Sequence, residues 1–90
     1  MRTPEEYKRA WAVVVRVTHE WDPYGLLQLG APADEFDGEI TAVLSQVPRI
    51  RSADDAARVI SQVFTAAFEP KGFTPEDCAD VGRRLFRGLA

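Results

Sequence analysis

Residues 21–39, WDPYGLLQLGAPADEFDGE, decide the fold, because they separate stretches whose apolar residues follow a helical period. Asp22 precedes Pro23, and the residue before a proline is pushed out of the α-helical region. A first helix is therefore predicted to end there. Gly25 and Gly30 keep the following element short, so we expect one helical turn or a structured connector rather than a full helix.

The first helix is predicted from its cap and its apolar stripe. Thr3 is the N-cap, Pro4 occupies the first helical position, and Glu6 completes a capping box. Apolar residues recur at helical spacing on both sides of the β-branched run 13–15, which favours a helix over a strand. The stripe consists of Tyr7, Ala10, Trp11, Val14, Val17, Thr18 and Trp21.

Three further helices are each marked by a start signal and a breaker. The second is predicted to begin around Pro32 and to stop before Pro48. Ser52 caps the third, the breakers of residues 69–72 end it, and Thr74 caps the fourth. The predicted buried faces are Phe36, Ile40, Val43, Leu44 and Val47, then Ala56, Ala57, Ile60, Val63, Phe64, Ala67 and Phe68, and finally Cys78, Val81, Leu85 and Leu89.

These elements predict a single all-helical domain over residues 1–90. Its fold class is all-α, a compact bundle of four main helices with a short extra helical turn between the first and second. Gly82 lies in the middle of the buried face of the fourth helix, where glycine costs about 1 kcal/mol relative to alanine. We therefore expect the backbone of another helix to approach closely at Gly82.

Charge and composition argue against several classes of protein. The net charge of −3 disfavours a general nucleic-acid binder, which needs a basic face. The only basic cluster, Arg83, Arg84 and Arg87, lies at the end of the last helix, where the helix dipole favours cations. No apolar run is long enough to span a membrane and no signal-peptide pattern is present, so we expect a cytoplasmic protein with no membrane partner.

Catalytic chemistry is not indicated. His19 is the only histidine, so neither a His-paired nucleophile nor a two-histidine metal site can form within one chain. Cys78, the only cysteine, falls on an apolar stripe and is predicted to be a buried, inert thiol. The glycines lack the Lys-Ser/Thr of a phosphate loop. We predict that the chain is not an enzyme and needs no cofactor.

Carboxylates concentrate around the quoted stretch. From Glu20 to Glu39 the sequence has six carboxylates and no lysine or arginine. Helix caps and helix starts explain several of them, because negative charge is favoured at helix N-termini. The remainder favours a surface that binds a partner protein with a basic face. We predict that this surface consists of Asp22, Tyr24, Asp34, Glu35, Asp37 and Glu39.

Two alternatives stay open. The same carboxylates are suitable ligands for a divalent-metal or small-ligand binding module, although the regular spacing of a calcium loop is absent. The other alternative is a self-associating accessory subunit. It requires Leu26, Leu27 and Leu29 to be exposed together as an apolar patch.

The quoted stretch also resembles a known family. Residues 21–26 (WDPYGL), 30–32 (GAP) and 34–40 (DEFDGEI) resemble the YugE-like small bacterial proteins, domain-of-unknown-function family 1871. Phe36 stands where the family pattern has tyrosine, so a hydroxyl is missing. The helical second half also fits, and the similarity covers most of the chain. The resemblance implies an all-helical bacterial protein without established activity, for which an immunity-like role is one concrete form of protein binding.

Overall fold

Helices form all the regular structure of residues 3–32, 34–67 and 73–90, which are the residues that the computed structural model describes. This confirms the predicted all-α bundle, including the short turn between the first two main helices. The predicted breakers at 69–72 and the predicted core residue Phe68 lie outside the described residues. The elements are α1 (Pro4–Trp21), a 3₁₀ turn (Pro23–Gly25), α2 (Asp37–Gln46), a second 3₁₀ turn (Val47–Arg49), α3 (Ala53–Ala67) and α4 (Ala79–Leu89).

The four helices pack as a ring. Helix α1 packs against α2 and α4, and α3 packs against the same two neighbours. Helices α2 and α4 therefore occupy diagonal positions. The Cα radius of gyration is 12.3 Å, close to the value of about 12 Å expected for a compact chain of this length. None of the described helices is long and apolar enough to cross a membrane.

Side-chain caps start three of the helical segments as predicted. The Oγ1 of Thr3 accepts the N–H of Glu6 at 3.1 Å, and the Oγ of Ser52 accepts the N–H three residues later at 3.0 Å. Thr74 and Asp77 bond reciprocally, each side chain accepting the other's N–H at 3.1 Å. Each cap satisfies a backbone donor that the helix itself leaves without a partner.

The start of the second helix differs from the prediction. Helix α2 begins at Asp37 rather than around Pro32. The N–H of Glu35 bonds to the carbonyl of Pro32 at 3.0 Å, and the N–H of Asp37 bonds to that of Asp34 at 3.1 Å. Both bonds span three residues instead of the four of an α-helix. Proline and acidic residues at the start of this segment therefore produce tight turns ahead of the helix.

The fourth helix also starts later than its cap. Regular α-helix begins at Ala79, although the capping turn begins at Thr74. The N–H of Cys78 is shared between the carbonyls of Thr74 at 3.1 Å and Pro75 at 3.2 Å. Shared bonds of this kind are common at helix ends. The capping turn leads into α4 without being part of its regular geometry.

An aromatic group closes one part of the core. Trp21 is half-buried and packs edge-on against Phe64 and Phe73, with ring centroids 5.0 and 5.4 Å away. Phe36 packs against Phe64 at 6.2 Å. Burying one large apolar side chain contributes roughly 1.5–3 kcal/mol. The largest side chains with less than 2% exposure are Phe36, Phe64, Ile40, Leu44, Leu85, Val14, Val43 and Cys78.

Two glycines on α4 allow the neighbouring helices to come close. A Cβ on Gly82 would lie 2.8 Å from the N and 2.9 Å from the Cα of Ala57, which confirms the close approach predicted there. A Cβ on Gly88 would lie 2.6 Å from Cγ1 of Val13 and 3.1 Å from Nη2 of Arg16. Gly82 thus sets the contact between α3 and α4, and Gly88 the contact between α1 and α4.

Two hydroxyls of α3 hold the chain that returns towards α4. The Oγ of Ser61 donates to the carbonyl of Phe73. The Oγ1 of Thr65 donates to the same carbonyl at 3.0 Å and accepts the N–H of Phe73 at 2.9 Å. Both backbone groups of Phe73 are therefore satisfied by side chains, and its ring is held against Trp21.

Candidate functional site

Asp22 ends α1 and organises the turn that follows. Its backbone is left-handed, with φ 46° and ψ 65°, and its N–H donates to the carbonyl of Thr18 at 2.8 Å. Its carbonyl accepts the N–H of Gly25 at 2.8 Å. Its carboxylate accepts the N–H groups of Leu27 at 2.8 Å and Gln28 at 3.2 Å. Both carboxylate oxygens are therefore engaged within the turn, although Asp22 forms no side-chain cap of the 3₁₀ turn Pro23–Gly25.

The turn presents one leucine to solvent. Gly25 and Gly30 have φ values of 63° and 99°, a conformation that glycine adopts without strain. The turn closes through a 3.0 Å bond from the N–H of Ala31 to the carbonyl of Leu26. Leu29 is 81% exposed, whereas Leu26 and its neighbour at position 27 are half-buried against the core. The self-association alternative required the three leucines to be exposed together, and they are not.

The predicted acidic residues of the second helix start are here named the acidic edge: Asp34, Glu35, Asp37 and Glu39. The first three are exposed and Glu39 is half-buried. Phe36, which lies among them, is fully buried and fixes this segment to the core. Because Phe36 points inward, the carboxylates on either side of it in sequence are left at the surface.

No carboxylate of the acidic edge forms an ion pair within the described part of the chain. The ion pairs found there join Asp55, Asp80 and Glu20 to arginines of α3 or α4. Residues 3–32, 34–67 and 73–90 therefore supply no ion pair that offsets the charge of the acidic edge.

Tyr24 was predicted to join this surface. It contributes backbone to the 3₁₀ turn Pro23–Gly25, but its side chain lies outside the described residues. Asp22 lies at the other end of the same turn, with its carboxylate engaged by backbone donors. The part that Tyr24 and Asp22 play in binding stays a prediction.

Metal binding gains no support from the arrangement of the carboxylates. Among the described residues, no group of three or more His, Cys, Asp or Glu side chains is placed to hold a metal ion. Asp34 and Glu35 lie in turns whose backbone hydrogen bonds join residues three positions apart. A calcium site needs six to eight oxygens that converge on one point.

The single cysteine and the single histidine have different environments. Cys78 has no exposed surface, and burial together with the charge of Asp77 raises the pKa of its thiol to about 11. A thiol of that pKa is a poor nucleophile at neutral pH, in agreement with the predicted inert role. His19 is half-buried, and its Nε2 is enclosed with no hydrogen-bond partner among the described residues.

A second charged feature was not predicted as a unit. Arg16 of α1 joins Arg84 and Arg87 of α4 around an open depression of about 340 Å³. Glu20, Val17 and Gly88 complete its lining. The sequence shows the arginines of α4 as a cluster, but no pattern in it predicts that Arg16 lies beside them. We name this feature the arginine depression.

Comparison with known families matches the chain to one family. The family model described as Domain of unknown function (DUF1871) matches residues 13–87. The match covers most of the chain, including the acidic edge and every residue that lines the arginine depression except Gly88, and the protein belongs to this family. No curated protein and no solved structure matches the chain. The family description assigns no activity, so function has to be inferred from the surface.

Proposed function

We propose that this DUF1871 protein acts by binding another protein, and that the acidic edge contacts a basic surface of the partner. The observation that carries the proposal is that exposed carboxylates lie close together in sequence and form no ion pair in the described structure. Asp34, Glu35 and Asp37 are exposed, and the sequence from Glu20 to Glu39 has no lysine or arginine.

The charge of the acidic edge is expected to affect the rate and selectivity of binding more than the affinity. A solvent-exposed ion pair contributes about 0.2–1 kcal/mol, so four carboxylates alone do not make a tight complex. Uncompensated charge of one sign instead raises the association rate and disfavours partners of the same sign. The acidic edge is therefore proposed to select and orient a basic partner.

Leu29 is the proposed apolar anchor of the same interface. It is 81% exposed, and Asp34 follows it five positions later in the chain, a span of at most about 18 Å. Burying a leucine at an interface contributes roughly 1.5–3 kcal/mol, or about a factor of 10–100 in affinity. Asp22 contributes indirectly, because its carboxylate holds the turn that presents Leu29.

A toxin-neutralising or immunity-like protein is one concrete form of this function. Enzymes that act on nucleic acids have basic active sites, and an acidic protein that covers such a site blocks it by charge and by volume. An accessory subunit of a larger assembly is the other form. A cytoplasmic location and the lack of an activity or cofactor of its own stay predictions.

Co-purification from the native cell tests the proposal. The D34N/E35Q/D37N variant removes three charges and keeps the shape of the side chains. We expect a basic partner to co-purify with the wild-type protein, to be lost in this variant, and to dissociate as salt is raised through the range that screens charges.

The matched control removes three exposed carboxylates elsewhere, as E5Q/D54N/E76Q. It changes the net charge by the same amount and leaves the acidic edge intact. It is expected to retain the partner. Equal loss of the partner from both variants would assign binding to net charge alone, and a partner retained by D34N/E35Q/D37N would place the interface elsewhere.

A further inference from the structure

The arginine depression is built by the close approach of two helices. Gly88 lets α4 lie against α1, because a Cβ there would come within 2.6 Å of Cγ1 of Val13. The guanidinium of Arg16 lies over the same glycine, with Nη2 only 3.1 Å from that Cβ position. Arg84 and Arg87 border the depression from α4. Three guanidinium groups thus line one depression of a chain whose net charge is −3.

Arg84 is held in place by two carboxylates. Its Nη1 lies 3.8 Å from Oε1 of Glu20 on α1, and its Nε lies 3.4 Å from Oδ2 of Asp80 on α4. The Nε is enclosed, and the approach of Asp80 does not meet hydrogen-bond geometry, so this N–H has no hydrogen-bond partner among the described residues. Ion pairs to two helices therefore fix the position of Arg84 while leaving it donor capacity.

Arg16 and Arg87 differ from Arg84 in having no acidic partner. The ion pairs of the described residues include neither of them. With Glu20 as the one carboxylate of the lining, the three arginines leave two positive charges without compensation. A guanidinium presents its N–H donors in a planar fork that matches the two oxygens of a carboxylate.

We propose that the arginine depression binds carboxylate groups presented by an acidic segment of another protein. The two arginines without an acidic partner, Arg16 and Arg87, match two carboxylates in number and charge, and the net negative charge of the chain opposes a nucleic-acid backbone. The depression is on the α1–α4 seam, whereas the acidic edge precedes and starts α2, diagonal to α4. The inference is therefore independent of the function proposed for the acidic edge.

The test titrates the full-length protein with a terminally blocked Glu-Ala-Glu peptide and follows it by ¹H–¹⁵N NMR. The Nε–Hε signal of Arg84 and the backbone amide of Gly88 report on the site. We expect saturable shifts with a Kd on the order of millimolar. The R16Q/R87Q variant removes the two unpaired charges and is expected to bind about tenfold more weakly.

Three controls separate the alternatives. The R49Q/R51Q variant removes two exposed arginines of the α2–α3 connection, which gives the same net charge, and it is expected to bind as the wild type does. A Gln-Ala-Gln peptide is expected to cause no shift, and inorganic phosphate is expected to bind more weakly than the acidic peptide. The proposal is overturned by absence of saturation, by equal weakening in both arginine variants, or by phosphate binding as tightly as the peptide.

Discussion

Replacement of Gly82 by alanine is expected to destabilise the protein, although alanine has the higher helix propensity of the two residues. Alanine in a helix interior is favoured over glycine by about 1 kcal/mol. The added Cβ, however, would lie 2.8 Å from the N and 2.9 Å from the Cα of Ala57. These are backbone atoms, so relief requires α3 and α4 to move apart. Overpacking of this kind typically costs 1–3 kcal/mol, and backbone contact places Gly82 towards the upper end of that range. The net loss is about 2 kcal/mol.

Urea unfolding measures this loss, and Gly38 provides the matched control. Gly38 lies in the first turn of α2, and a Cβ there would meet nothing within 4 Å. G38A is therefore expected to gain a few tenths of a kcal/mol or more from helix propensity alone. The destabilised variant should also melt roughly 8–16 °C lower, given the size of the domain. A G82A protein at least as stable as the wild type would refute the packing of α3 on α4 described above.

Three further substitutions test the turn, the return to α4 and the buried thiol. D22A removes two hydrogen bonds to backbone N–H groups, so we expect it to lower the free energy of unfolding by about 2 kcal/mol. D22N keeps one acceptor and tolerates the left-handed backbone, so we expect a loss of about 1 kcal/mol. Urea unfolding and hydrogen exchange of the two donor amides measure both effects. T65V keeps the shape but removes the acceptor that Thr65 gives the N–H of Phe73 and one of the two hydroxyl donors to its carbonyl, so a loss of about 1–3 kcal/mol is expected in the same assay. The pKa of Cys78 rises from 9.0 to about 11 on folding, so the folded state keeps a proton that the unfolded state releases, and stability should fall as the pH rises from 9 towards 11. The C78A variant should show a shallower loss over that range, and an identical slope in both proteins would contradict the buried position of the thiol.

Features encoded by local pattern were predictable from the sequence. The proline after Asp22 marked the end of the first helix, and the caps Thr3, Ser52 and Thr74 are formed as expected. Gly82 was also predicted as a close approach, because glycine on an apolar helical face is unfavourable unless packing requires it. In each case a few neighbouring residues determine the structure.

Features that depend on which helices are neighbours were not predictable. Arg16 and Arg87 lie at opposite ends of the sequence, and only the packing of α1 on α4 brings them to one depression. Ser61 and Thr65 both bind the backbone of Phe73, which lies eight or more positions away in the sequence. The acidic edge was only partly predictable. Its residues were identified from the sequence, but their lack of ion-pair partners among the described residues depends on tertiary structure.

Zero-length crosslinking of the isolated complex tests the central proposal most directly. Carbodiimide joins a carboxylate to a lysine amine only when the two are in contact, and mass spectrometry then identifies both residues. We predict that the crosslinks to the partner's lysines fall on Asp34, Glu35 and Asp37. A stable complex whose crosslinks fall instead on Glu5 or Glu76, with none on the acidic edge, would contradict the proposal.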